Sequence, residues 1–176
     1  MDELKDIINK IKVILKLNGE GFDYNYESDY ELFIYLCKEN KLTLIELLID
    51  NGFDVNISNP EDLNNVLNVI KFADKIELLE LLLKNKVNTH HLSSYNIGIF
   101  DYRDTYENID IIKLLIKYNV DFSYISKSKL DEDKTIICKT ILDIFEDSYM
   151  VYDEPELKVE IRELIIKEMR NWSIKK

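Results

Sequence analysis

The chain has 176 residues, of which 46% are hydrophobic and 32% charged, a composition that suits one folded domain and excludes a disordered chain. Its 34 acidic and 23 basic residues give a net charge of -11, which disfavours nucleic acid and anionic membranes as partners. No apolar run approaches the roughly eighteen residues of a membrane span, and the charged N-terminus lacks the apolar core of a signal peptide, so we expect a cytoplasmic protein.

The first predicted element is a helix in the segment DELKDIINKIKVILKL, whose apolar residues are mixed with charges throughout. Phe22, Asp23 and Asn25, which follow it, echo Phe53, Asp54 and Asn56 after a later helix. We therefore expect residues 1–25 to form a capping helix with its exit turn, on the N-terminal side of the repeats that follow.

The middle of the chain repeats one apolar pattern three times. LIELLIDNGFDVN begins at Leu44, and returns as LLELLLKNKVNTH from Leu78 and as IIKLLIKYNVDFS from Ile111, at spacings of 34 and 33 residues. Each copy is preceded by a further helical segment, at residues 31–42, 65–76 and 98–109, and the polar turn between the two helices is short enough to require antiparallel neighbours. We predict units of helix, tight turn, helix and loop at residues 26–58, 59–92 and 93–126.

One such hairpin cannot cover its own apolar surface. Five of the six residues from Leu44 to Ile49 are Leu or Ile, so this helix must be buried on more than one side. Stacking the units side by side removes these faces from water, and each unit then touches only its neighbours. The sequence therefore predicts an all-α linear solenoid.

The segment ELFIYLCKENKLTLIELLIDNGFDVNIS, residues 31–58, resembles an ankyrin repeat. Gly52, Asp54, Val55 and Asn56 match the Gly-x-Asp-Val-Asn exit of that family, in which the glycine has a positive φ. The resemblance covers about Tyr26 to Ser126 and implies an ankyrin-like helical solenoid of stacked helix–turn–helix repeats, although no unit carries the family's Thr-Pro-Leu-His opening or its paired alanines. Asn119 and Lys86 replace the glycine in later units; Asn tolerates positive φ, whereas Lys86 would be mildly strained.

The C-terminal part is less regular. SKSKLDEDK predicts a polar insertion, TILDIFEDS from Thr140 resembles an opening helix, and EIRELIIKEM from Glu160 resembles a closing helix. Pro155 suits the first turn of that last helix. We expect residues 127–176 to form an irregular capping repeat, so that residues 1–176 are a single domain.

Few groups in the sequence could support catalysis, and we expect no enzyme, no cofactor and no metal. Gly19 and Gly21 alone do not make a phosphate-binding loop. His90 and His91 are adjacent in an inter-unit loop, where their side chains point apart and no third ligand is near, so exposed loop histidines are favoured over a metal site. The competing hypothesis is an enzyme with a site in the C-terminal third, lined by Asp143, Asp147, Tyr149, Asp153 or Glu154.

The two cysteines are not expected to carry chemistry either. Cys37 and Cys138 lie in apolar contexts that we interpret as helical, with no His or second Cys nearby. This argues against a zinc site and against a disulfide framework. Both are expected to be small core residues.

Partners of ankyrin proteins usually dock on the concave face formed by inter-unit loops and first helices. By position, the resemblance implies a protein-binding face of Tyr26, Tyr30, Lys38, Glu39, Glu61, Asp62, Phe72, Tyr95, Arg103 and Tyr106. Tyrosine, of which the chain has eleven, offers large and stiff contact area. The alternative is that Phe72 and the tyrosines pack against the next unit, where the family has alanines.

The leading functional hypothesis is a monomeric, non-catalytic protein-binding module. A sharper alternative is an acidic immunity or anti-defence inhibitor that neutralises a basic toxin or nuclease, since electrostatic steering would speed such association. It rests on the acidic residues near the proposed face, Glu27, Asp29, Glu39, Glu61, Asp62, Asp104 and Glu107. A solvated acidic surface with no binding role is the remaining interpretation of the charge.

Overall fold

The computed structural model describes residues 2–17, 28–91, 99, 108–122, 125–128, 137–140 and 155–175. The helices in these ranges are α1 (Asp2–Leu17), α2 (Asp29–Lys38), α3 (Leu42–Asp50), α4 (Val66–Val69), α5 (Ile76–Lys84), α6 (Ile109–Lys117) and α7 (Pro155–Lys175). β1 (Ile125–Ser128) and β2 (Ile137–Thr140) pair antiparallel, with Ile125 opposite Thr140. Apart from this strand pair, the regular structure of the described residues is helical, which confirms the all-α class.

The helices pack mainly on their neighbours in the chain. α3 contacts α1 and α2, α2 also contacts α4, and α6 contacts α5 and α7. Equivalent positions of the three apolar helices are fully buried, at Ile45, Leu79 and Ile112 and again at Leu48, Leu82 and Leu115. The same face is therefore covered at each return of the repeat, as the spacing predicts.

The three apolar helices also end in the same way. Gly52, Lys86 and Asn119 have φ values of 89°, 60° and 54°, so the predicted positive φ is confirmed at all three. The next residue of each, Phe53, Val87 or Val120, is buried and donates its N–H back to the carbonyl of Leu48, Leu82 or Leu115, at 3.0 to 3.1 Å. This is a Schellman motif, which satisfies the carbonyls of the last helical turn and turns the chain out of the helix.

The first helix of the second unit is much shorter than the predicted segment 65–76. α4 is a single turn, capped where Asn65 Oδ1 accepts from the Leu67 N–H and Asn68 Oδ1 accepts from the Asn65 N–H, each at 2.9 Å. After it, Ile70 is extended, with φ -104° and ψ 131°. Ile70 and Phe72 are buried and Lys71 is exposed, which is the alternation of an extended segment rather than a helical pattern.

At the C-terminal end, α7 begins at Pro155, so the predicted start of the last helix is confirmed. The strand pair was not predicted, and the expectation that Cys138 lies in a helix is wrong because Cys138 belongs to β2. Thr135, Ile136, Ile137 and Thr140 around it are β-branched, a composition that favours strands. The predicted exit turn at residues 18–25 and most of the opening helix after Thr140 lie outside the described residues.

Candidate functional site

The ten residues of the predicted binding face have different outcomes. Lys38, Glu39 and Glu61 are exposed and Asp62 is half-buried. Lys38 and Glu39 lie at the C-terminal end of α2, whereas Glu61 and Asp62 lie in the loop before α4. These four residues therefore lie in two separate places, at the end of α2 and before the start of α4. Four further members of the face are outside the described residues: Tyr26, Tyr95, Arg103 and Tyr106.

Two aromatic members of the predicted face are buried. Tyr30 is 8% exposed and Phe72 is 3% exposed, so neither offers contact area to a partner, and the expectation for both is corrected. Tyr30 shares the apolar stripe of α2 with Phe33, Ile34 and Cys37, at helical spacing. Phe72 lies in an extended segment in which alternate side chains are buried, and it packs in the hydrophobic core instead of on the surface.

The loop between the first two units is closed by its own hydrogen bonds. The Asn59 N–H donates to the Asn64 carbonyl at 2.8 Å, and the Leu63 N–H donates to the Asn59 carbonyl at 2.9 Å. Asn59 Oδ1 also accepts from the Glu61 N–H at 2.8 Å, and Asp62 Oδ1 accepts from the Asn64 N–H at 3.0 Å. Residues 59–64 are thus held in one shape without a hydrophobic core of their own.

This loop presents an apolar side chain that the sequence predictions missed. Leu63 is 48% exposed, and its φ is 55°. The left-handed conformation costs an L-residue about 1 to 2 kcal/mol, and Gly or Asn usually occupy it. The signal in the sequence was a single leucine inside the otherwise polar run NPEDLNN.

Two hydrogen bonds join the segment from Asn56 to Leu63 to the segment that follows α5. The Asn88 N–H donates to Asn56 Oδ1 at 2.6 Å, and the ring Nε2 of His91 donates to the Leu63 carbonyl. His90 is exposed as expected for a loop histidine, whereas His91 is half-buried by this contact. Within the described ranges, no three His, Cys, Asp or Glu side chains are grouped so that they could hold a metal ion.

A shallow cleft continues the surface beyond His90. Its volume is about 260 Å³, and it separates the exit segments of α5 and α6. Ligand pockets are usually larger, about 300 to 1,000 Å³, so this cleft suits one side chain of a partner better than a separate small molecule. Its lining residues are Leu83, Lys86, Val87, Thr89, His90, Tyr118, Asn119, Val120 and Asp121. We call residues 59–64, 86–91 and 118–121 together the loop edge.

The buried thiol offers no nucleophile. Cys37 is fully enclosed in α2, and burial raises its pKa well above the ordinary range of a cysteine. A thiol in such surroundings stays protonated and unreactive. The carboxylates of the competing C-terminal site, Asp143, Asp147, Asp153 and Glu154, lie outside the described residues together with Tyr149.

No protein-family model matches the chain, and no curated protein matches its sequence. Among the helices in the described ranges, none is both long enough and apolar enough to cross a lipid bilayer.

Proposed function

We propose that the chain is a non-catalytic protein-binding module of the ankyrin type, and that it binds another protein through the loop edge. The observation that carries this proposal is Leu63, an exposed leucine held in a left-handed conformation by a hydrogen-bonded loop. A fixed shape reduces the conformational entropy lost on binding. An apolar side chain presented in this way is a candidate hot spot.

The ankyrin-type architecture is supported by the spacing of the hydrogen bonds between units. Asn88 bonds to Asn56 and Asn108 Nδ2 bonds to the Ala73 carbonyl, across 32 and 35 residues, while Lys117 bonds to Glu80 across 37. These intervals are close to the spacing of the sequence repeat. Contacts that recur once per repeat are what a stack of equivalent hairpins requires.

The binding surface proposed here differs from the one predicted from the sequence. Leu63 takes the place of Tyr30 and Phe72 as the apolar contact, and Glu61 remains beside it as an exposed charge. Loop 59–64 carries Glu61 and Asp62 and contains no Lys or Arg, so a partner would meet a leucine flanked by carboxylates. A partner surface with an apolar pocket and basic groups around it fits this arrangement.

The test separates binding from folding with one substitution, Leu63→Asn. Asparagine accepts positive φ, so the variant should be at least as stable as the parent protein, although the apolar contact is lost. A partner is first captured on the immobilised chain, identified and purified, and its Kd is then measured for each variant by calorimetry. We expect Leu63→Asn to raise Kd about tenfold or more.

Leu47→Asn is the matched control. Leu47 is 43% exposed, close to the value for Leu63, but it lies on helix α3 and not on the loop edge. We expect its Kd to equal that of the parent protein. A partner that tolerates Leu63→Asn and is lost with Leu47→Asn would show that the binding surface lies on α3 and not on the loop edge.

An acidic inhibitor of a basic toxin or nuclease is the second candidate, favoured by the charge of the surface between residues 28 and 75. Between residues 28 and 75 the exposed lysines are Lys38 and Lys71, whereas the exposed carboxylates are Asp29, Glu39, Glu46, Asp50, Asp54, Glu61 and Asp74. Glu27, Asp104 and Glu107, which the sequence also suggested, lie outside the described residues. This candidate requires an association rate that falls steeply with salt; a rate independent of salt would exclude it.

A further inference from the structure

Asn51 and Gly52 form an Asn-Gly dipeptide at the point where α3 ends. In this dipeptide the backbone nitrogen of glycine can attack Cγ of the asparagine side chain. A C–N bond forms, the Cγ–Nδ2 bond breaks, and the amide nitrogen leaves as ammonia with the proton that the glycine nitrogen gives up, which produces a cyclic succinimide. Water then opens the ring to aspartate or isoaspartate. Glycine favours the attack because it has no side chain to obstruct it.

In the folded chain both reacting groups are engaged elsewhere. The Gly52 N–H donates to the Ile49 carbonyl at 2.9 Å, and Asn51 Nδ2 donates to the Leu47 carbonyl at 2.8 Å. Asn51 has ψ 17°, so its peptide must rotate before the Gly52 nitrogen can reach Cγ. The Schellman motif that ends α3 therefore also holds the dipeptide in an unreactive geometry.

We propose that Asn51 is a site of spontaneous deamidation whose rate is set by opening of the last turn of α3. Gly52 is exposed, Asn51 is half-buried, and a Cβ built at Gly52 would meet no atom within 4 Å. The last turn of α3 therefore lies at the protein surface, and Phe53 is the buried residue that directly follows it. Openings of this kind have a lower free energy than unfolding of the whole chain.

The products would not restore the same helix end. Either product places a carboxylate at the C-terminus of α3, where the helix dipole disfavours negative charge. Isoaspartate also adds one atom to the main chain, so the Gly52 and Phe53 N–H groups cannot both return to their carbonyls. Each modified molecule is then less stable in the first hairpin, and this loss is irreversible.

The experiment follows the mass of the peptide containing Asn51 in the purified full chain, incubated at 37 °C in native buffer and in concentrated urea. We expect the native rate to be at least about tenfold lower, which corresponds to an opening free energy of about 1.4 kcal/mol or more. Asn18–Gly19 carries the same dipeptide and serves as the reference in urea, where both sites should react at similar rates. Equal rates for Asn51 in the two solvents would overturn the proposal.

Three variants separate local opening from global unfolding. Gly52→Ala should slow the reaction in urea because its methyl group obstructs the attack; in native buffer alanine at φ 89° also strains the turn, so this variant is compared in urea alone. Leu48→Ala weakens the core under α3 and should raise the native rate towards the rate in urea. Leu115→Ala, the equivalent change in α6, should leave the native rate unchanged. If Leu115→Ala accelerates the reaction as much as Leu48→Ala does, deamidation requires global unfolding and the proposal fails. Should Leu48→Ala not fold, the deamidation rate of the parent protein is measured instead at urea concentrations below its unfolding transition.

Discussion

Lys86 shows how the fold constrains a single residue. Its φ of 60° places it in the left-handed region, and the equivalent exit from α3 uses Gly52 at φ 89°. The Schellman bonds from Lys86 and Val87 to the end of α5, at 3.0 and 3.1 Å, hold it there. The residue therefore keeps a conformation that its own side chain disfavours, because the two bonds that satisfy the last carbonyls of α5 require a left-handed residue at this position.

Lys86→Gly is expected to stabilise the protein. Relief of left-handed strain contributes about 1 to 2 kcal/mol, and the greater freedom of glycine in the unfolded chain removes about 0.5 to 1 kcal/mol, so the free energy of unfolding should rise by roughly 0.5 to 1 kcal/mol. Urea denaturation followed by circular dichroism measures the change. Lys84→Gly, two residues earlier within α5, is the matched control and should lower the free energy of unfolding by about 0.5 to 1 kcal/mol. Equal losses for the two variants would contradict the strain at Lys86.

At the scale of elements, the sequence predicted the features that depend on a local pattern. It missed those that depend on side chains competing for backbone hydrogen bonds or on contacts between residues distant in the chain. The burial of Leu48, Leu82 and Leu115 and the left-handed exits follow from periodicity and from one glycine. The length of α4 does not, because Asn65 and Asn68 close a single turn with their side chains, and an extended segment then buries Phe72. Residues 125–128 pair with residues 137–140, and nothing in either segment alone identifies its partner.

The candidate site was less predictable for the same reason. Loop 59–64 has the composition of an ordinary polar turn, and the exposure of Leu63 depends on a backbone conformation that leucine rarely adopts. The contact between His91 and the Leu63 carbonyl joins residues 28 positions apart. The binding face inferred from the resemblance therefore included Phe72 and Tyr30, because position in a repeat does not show which side chains are buried in the core.

Helices α5 and α6 are joined at Glu80. Its carboxylate accepts hydrogen bonds from Lys117 and from the Tyr118 hydroxyl, the latter at 3.1 Å, so it links α5 to the end of α6. The hydrogen bond from Lys117 and then that from Tyr118 hold the pKa of Glu80 below its ordinary value. Both ends of the ion pair are substantially exposed, at 62% for Lys117 and 40% for Glu80, so its contribution to stability is modest.

Glu80→Gln should therefore reduce stability in a pH-dependent way. A carboxyl group whose folded-state pKa is depressed stabilises the fold above its unfolded pKa, about 4.3, and loses that contribution as pH falls through the folded-state value. The difference in urea midpoint between the parent protein and Glu80→Gln should be largest near neutral pH and shrink below about pH 4.3. Glu46→Gln, at the equivalent position of α3, is the control for the loss of one exposed carboxylate. A difference that grows in acid would contradict the assigned direction.

For the whole molecule, the proposed solenoid predicts how the free energy of unfolding is distributed among the units. Units that touch only their neighbours derive their stability from their own folding and from the two interfaces beside them. The second unit contributes one of the shortest elements, α4, together with the buried face of α5. Loss of this unit would uncover a surface on each side, so it is the place where coupling through the stack can be measured.

Leu82→Ala tests that coupling. Leu82 is fully buried in α5, and its truncation should cost about 2 to 5 kcal/mol of unfolding free energy. If the units are stacked, hydrogen exchange measured by mass spectrometry should show lower protection in α5 and also in α3 and α6, which belong to the units before and after it, because both interfaces of the middle unit are weakened. Leu47→Ala, at an exposed position, should change stability by no more than about 0.5 kcal/mol and leave protection unaltered. Loss of protection confined to α5 would mean that the hairpins are not stacked as neighbours, whereas a uniform loss over all described helices would mean a single closed core.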